Sequence, residues 1–149
     1  MIQGYFTLRN RPYISCRLHI ARFDILQPIQ LMFDTGADIT CLHPSDADEI
    51  GVPFQALRNP QNITGIGKAE YFREPATLFF VDGDVTHLYH IEINVAIPND
   101  DNRNLPSILG RDIFDFWSTN YDPFNKRLEA EAHSAHATLP SSLFSPSSG

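Results

Sequence analysis

Asp34-Thr35-Gly36 is the segment best placed to do chemistry. It follows the apolar run Leu31-Met32-Phe33 directly and precedes Ala37-Asp38-Ile39-Thr40, so a strand is expected to deliver one carboxylate to the head of a tight loop. An acid held this way can deprotonate water, but amide hydrolysis without a covalent intermediate also needs a second group to polarise the carbonyl. Two close carboxylates sharing one proton meet both needs, because a second ionisation beside an existing negative charge is disfavoured. This chain has no second acid in an equivalent context. A two-fold homodimer would supply the twin by bringing the same residue from each protomer to the axis.

An isolated Asp-Thr-Gly is weak evidence, since glycine after aspartate commonly marks a turn. The order of further features adds specificity. Asn62-Ile63-Thr64-Gly65-Ile66-Gly67-Lys68-Ala69-Glu70 reads as a hairpin tipped by two glycines that tolerate positive φ. Well beyond it, Ile108-Leu109-Gly110-Arg111-Asp112 places two apolar residues and a glycine before a short helix.

The elements needed to hold these residues are strand-rich. Residues 4–9 and 13–20 read as strands around the turn Asn10-Arg11-Pro12, and residues 28–33 as the strand leading to Asp34. Ile39 to Leu42 is a further short strand. His43 to Ile50 suits a short helix ended by Gly51. Thr77 to Val81 and Leu88 to Ile97 flank the turn Asp82-Gly83-Asp84, Pro98 to Pro106 is a polar loop, and Arg111 to Trp117 is spaced for a short helix. Asn120–Tyr121 and Arg127–Glu129 make a final hairpin. From residue 130 the composition turns to Ala, Ser, His and Pro, which predicts a disordered tail over 130–149 behind a domain spanning 1–129.

In these ordered motifs the chain resembles the retropepsin family, the retroviral-type aspartic proteases and their cellular and bacterial relatives, over roughly residues 4–129. The resemblance implies an all-β, single-lobe acid-protease barrel with a glycine-tipped flap and a short helix after Gly110. It implies that Asp34 is catalytic, with Thr35, Gly36 and Ala37 supporting its loop. Thr35 would lock the two loops of a homodimer, and Gly36 would permit their close approach. Ile63, Thr64, Gly65, Ile66 and Gly67 would form the substrate flap. Asp38 and Arg111 would form a structural salt bridge without a catalytic role. The family also implies an extended peptide substrate with apolar side chains beside the scissile bond. Ala37 brings no hydroxyl to favour the charged form of the paired acids, which predicts a less acidic pH optimum than that of pepsin-like enzymes.

The remaining signals narrow the function classes. Eighteen acidic against eleven basic side chains leave a net charge of −7, which repels phosphate backbones and argues against nucleic-acid binding. His87 and His90 lie three apart on a strand and so face opposite sides, and no metal or other cofactor is expected. Cys16 and Cys41 read as small apolar residues, with a Cys16–Cys41 bridge left open. The N-terminal segment lacks a basic region followed by an apolar one, and no apolar run is long enough to span a bilayer, so the expectation is a cytoplasmic protein without membrane partners. The competing reading is a dimeric peptide-binding module of the same fold without hydrolytic activity. A monomeric β-domain with a fortuitous Asp-Thr-Gly turn is the third.

Overall fold

The computed structural model describes residues 1–63 and 69–144. Three antiparallel strands begin the chain: β1 (Ile2–Phe6), β2 (Pro12–Ile20) and β3 (Ile25–Phe33). The reversals between them use Asn10 and Asp24 at φ 61° and 54°. This left-handed conformation is one that Asn and Asp adopt more readily than other non-glycine residues. Along β2, Ile14, Cys16, Leu18 and Ile20 are buried, because the two-residue period of a strand sends them to one face.

After β3 come the two-residue strand β4 (Cys41–Leu42) and helix α1 (Pro44–Glu49). Proline at the start of α1 costs nothing because its missing N–H would have lacked a helical partner. Gly51, at φ 87°, follows the helix as expected of a terminating glycine. Strand β5 (Pro60–Ile63) pairs with β6 (Ala69–Asp82), which turns at Gly83 (φ 60°) into β7 (Val85–Ala96). The β6–β7 hairpin is much longer than the local patterns over 77–81 and 88–97 suggest. The C-terminal part adds β8 (Ile108–Leu109), helix α2 (Arg111–Phe114), β9 (Trp117–Asp122) and β10 (Arg127–Ala132).

Six strands close on themselves in the order β2-β3-β8-β4-β7-β6, with β6 returning to β2 through Arg17–Phe79, Leu18–Leu78 and His19–Thr77. Strands β1, β10 and β9 continue the sheet from β2. The strand-rich, single-lobe barrel anticipated from sequence is the fold observed. Its interior is filled by Ile14, Leu18, Leu31, Leu78, Phe80, Ile93 and Leu109, all fully buried. Each such side chain contributes about 1.5–3 kcal/mol by leaving water. Trp117 packs edge-on to Phe80, and its indole N–H donates to the Tyr89 hydroxyl at 2.8 Å.

The C-terminal segment departs from the expected disordered tail. Residues 130–132 complete β10, with Ala130 fully buried, and Ala137–Pro140 form an eleventh strand, β11, antiparallel to residues 85–88 of β7. The Tyr89 hydroxyl donates to the Ser134 carbonyl at 2.7 Å, His136 packs on Tyr89 and Phe116, and Phe144 lies 5.0 Å from Phe79. A composition-based reading undervalues this stretch. Its order comes from a free strand edge and waiting aromatic faces, not from its own apolar content. The domain boundary at residue 129 is therefore too early. Residues 145–149 lie outside the described residues.

Helix α2 is also shorter than the expected 111–117, since Trp117 already belongs to β9. Cys16 and Cys41 are both free and buried. His87 meets Asp82 at 3.0 Å, whereas His90 contacts Thr77 and stacks on His136, so the two imidazoles face different neighbours. No helix among the described residues is long and apolar enough to cross a membrane.

Candidate active site

Strand β3 runs parallel to β8, pairing Met32 with Ile108 and Phe33 with Leu109. The ladder continues one step further: the Asp34 N–H donates to the Leu109 carbonyl at 3.3 Å. The backbone of Asp34 is thus tied to the sheet, while its side chain emerges at the rim, half-buried, with Thr35 and Gly36 exposed beside it. The loop turns on itself through Gly36 N–H to Asp34 Oδ1 at 2.9 Å and Ala37 N–H to the Asp34 carbonyl at 3.2 Å. A Cβ at position 36 would sit 3.3 Å from Asp34 Oδ1, so glycine keeps that carboxylate uncrowded.

The far side of the loop is braced by α2. The first N–H groups of a helix have no internal acceptor. Here the Arg111 N–H donates to the Ala37 carbonyl at 2.8 Å and the Asp112 N–H to the Asp38 carbonyl at 3.1 Å. In return Asp112 accepts from the Thr40 N–H at 3.0 Å and the Thr40 hydroxyl at 2.7 Å. The Gly110 N–H donates to Thr40 Oγ1 at 3.1 Å. Gly110 lies directly against this loop: an added Cβ would fall 2.6–2.9 Å from backbone atoms of Ile39 and Thr40.

The Arg111 guanidinium also pairs with the Asp38 carboxylate, the partnership anticipated from sequence. Both side chains are substantially exposed, and exposed pairs are worth about 0–1 kcal/mol. The backbone bonds and the Thr40–Asp112 contacts therefore matter more for holding the loop.

Neither Thr40 nor Asp112 stood out as a site residue in the sequence. Burial raises the Asp112 pKa above the ordinary carboxylate range, opposed by the hydrogen bonds from Thr40. A carboxyl with a raised folded-state pKa favours folding most when protonated, and that contribution fades as pH rises through the folded value. Asp112→Asn keeps an oxygen acceptor for Thr40 and removes the titration. Its urea midpoint should therefore gain on the wild type as pH rises from about 4, the unperturbed range, towards neutrality. A gap between the two proteins that does not change with pH would contradict this assignment.

A second cluster, His43, Asp46 and Ser107, has the residue types of a nucleophilic triad but the wrong connections. The Ser107 hydroxyl donates directly to Asp46 at 2.6 Å, and His43 Nδ1 faces the Pro106 carbonyl at 2.7 Å. Ser107 is fully buried. The serine of a Ser-His-Asp triad needs imidazole as its base and access to substrate. This cluster fastens α1 to the segment entering β8, and burial holds His43 below its usual pKa.

Next to the Asp34 loop lies a pocket of about 270 Å³ lined by Ala37, Asp38 and Ile39 of the loop, Cys41, Ile108, and Gln61, Tyr71, Arg73 and Asn94 of neighbouring strands. Cys41 is buried at this wall, and its thiol pKa is pushed up to about 12. Of the residues expected to form the flap, Ile63 ends β5, paired with Ala69 at the start of β6. Thr64, Gly65, Ile66 and Gly67 lie outside the described residues.

The pattern of the aspartyl protease family matches residues 21–113, from the turn before β3 through most of α2. The chain belongs to the aspartyl protease family, and its fold is the retropepsin-like one. A retropepsin-like aspartic protease from Rickettsia conorii has a similar structure, with a TM-score of 0.54 and 24% identity over 88% of this chain and 92% of that one. The EIAV protease, solved with the inhibitor HBY-793, aligns at 24% identity over 74% of this chain and 90% of its own, with a TM-score of 0.47. No curated protein matches the chain.

Proposed function

We propose that this protein is a homodimeric aspartic endopeptidase in which Asp34 of each protomer forms one half of the catalytic pair. One carboxylate takes a proton from water while the other, protonated, polarises the scissile carbonyl. Thr35 and Gly36 face the second protomer, Ala37 supports the loop, and Asp38–Arg111 helps to hold it. Residues 63–67 supply the flap that covers an extended peptide.

The observation that carries this reading is the asymmetry of the Asp34 loop. Its inner side is tied to β8 and α2, whereas the carboxylate and the exposed Thr35-Gly36 edge are left at the rim. The other acid of the loop, Asp38, is paired with Arg111. A self-complementary two-fold contact at this edge provides the missing carboxylate.

The test is cleavage of a mixed peptide library by the purified protein, with its mass followed by sedimentation. Dimers that cleave internal peptide bonds are the expected result. Monomers that hydrolyse peptides would overturn the shared site, and dimers that bind peptides without cleaving them would show a binding module instead. Because Ala37 offers the acids no hydroxyl donor, the pH–rate profile should peak well above the strongly acidic range of pepsin-like enzymes. A maximum near about pH 2 would remove that explanation.

A further inference from the structure

The pocket beside Asp34 has apolar walls and an unsatisfied polar floor. Ile39, Cys41, Ile108 and the ring of Tyr71 supply the walls. On the floor, Arg73 of β6 and Asn94 of β7 are directly opposed in the sheet. Arg73 Nε and Asn94 Oδ1 are both buried without a hydrogen-bond partner, and Asn94 is only 8% exposed. The neighbouring Glu74 is bonded to Arg22, and Asp38 of the loop to Arg111. Unmet donors and acceptors are costly inside a protein, and when a site faces a ligand they mark what the ligand must bring.

The backbone fixes this floor relative to the reactive loop. The Asn94 N–H donates to the Thr40 carbonyl at 3.0 Å, and Cys41 pairs with Asn94 across β4 and β7. The Arg73 N–H is anchored to the Asn59 carbonyl at 3.2 Å. An occupant would therefore lie against Ala37, Asp38 and Ile39, immediately after the acid, where a substrate side chain close to the scissile bond belongs.

We infer that this pocket is a specificity subsite for a carboxamide side chain, glutamine or asparagine, of the peptide substrate. The inference rests on the peptidase reading above and replaces the apolar preference implied by family resemblance at this one position. A carboxamide brings one acceptor and one donor on a short planar group. Its oxygen accepts from Arg73 Nε–H, and its NH₂ donates to Asn94 Oδ1. A methionine of similar length leaves both groups unmet. A glutamate satisfies Arg73 but sets a carboxylate oxygen against Asn94 Oδ1. Sites built around buried hydrogen-bonding groups reject analogues that lack the matching group more strongly than apolar pockets reject a size change.

The experiment scans Gln, Glu and Met through each position of one labelled apolar octapeptide. At one position kcat/KM for Gln should exceed that for Met and for Glu by about tenfold. The excess over Met should vanish in Arg73→Met and in Asn94→Leu. Anisotropy binding of the same peptides to the Asp34→Asn protein reads the subsite without catalysis. Failure to cleave any peptide, with Gln still bound best, would remove the peptidase reading and leave the subsite standing. Equal or better use of Met or Glu at every position, by cleavage and by binding, would overturn the subsite. The wild-type comparison decides this even if a variant fails to fold.

Discussion

Adding an equal amount of Asp34→Asn protein to the wild type is expected to cut peptide hydrolysis per wild-type chain to about half, once subunits have exchanged. The variant alone should lose about 10²- to 10⁴-fold or more in kcat/KM, because an amide at that position can neither take a proton from water nor share one with its twin. The mixture is the more informative measurement. Random pairing leaves about a quarter of the dimers wild type on both sides, and a shared site makes every mixed dimer inactive. If each protomer held a complete site, the variant would act only as an inert diluent and activity per wild-type chain would not change. That outcome, with subunit exchange verified by mass, would end the two-carboxylate mechanism. Asparagine matches aspartate in shape and still accepts from the Gly36 N–H, so folding of the variant is not at issue.

Gly110→Ala should be strongly destabilising although it adds a single methyl group. Gly110 has φ −99°, a conformation open to any residue, so the requirement for glycine comes from space and not from backbone strain. The new Cβ would meet Ile39 C at 2.6 Å, Thr40 N at 2.8 Å and Ile39 N at 2.9 Å. These are backbone atoms and cannot step aside as a flexible side chain can. Relief requires moving Ile39 and Thr40 away, which draws the Thr40 N–H and hydroxyl from Asp112 and loosens the loop that starts at Asp34. A loss of about 3 kcal/mol in urea unfolding is expected, together with reduced activity in the protein that remains folded. Gly51→Ala is the useful control. Gly51 has open space around it but φ 87°, so alanine there should cost about 1 kcal/mol through strain alone and leave the specific activity of folded protein unchanged. A Gly110→Ala protein with a wild-type midpoint would mean that Ile39 and Thr40 yield freely.

The sequence made the local parts of this architecture readable and concealed the long-range ones. The run Leu31-Met32-Phe33 into Asp34-Thr35-Gly36 is a contiguous signal, and the strand that ends there is real. The turns at Asn10 and Gly83 and the stop at Gly51 follow from residues with special φ preferences. Thr40 and Asp112, by contrast, are separated by 72 positions, and neither has a local pattern that sets it apart. Arg73 and Asn94 gain their meaning only from cross-strand register, and the long β6 interrupts its apolar alternation with Glu74, buried and paired with the exposed Arg22. The C-terminal segment was hidden for a related reason. Its order depends on the exposed edge of β7 and on Tyr89, Phe116 and Phe79, none of which lies nearby in sequence.

The brace from Gly110, Arg111 and Asp112 to residues 37–40 also bears on how the protein is made. During synthesis Asp34 emerges long before the segment that fixes its loop, and closing so wide a gap in sequence carries an entropic cost that local structure cannot offset. A nascent chain stopped short of Gly110 carries the acid but lacks the partners that orient it. The orientation of the acid is thereby deferred until residues 110–112 have left the ribosome.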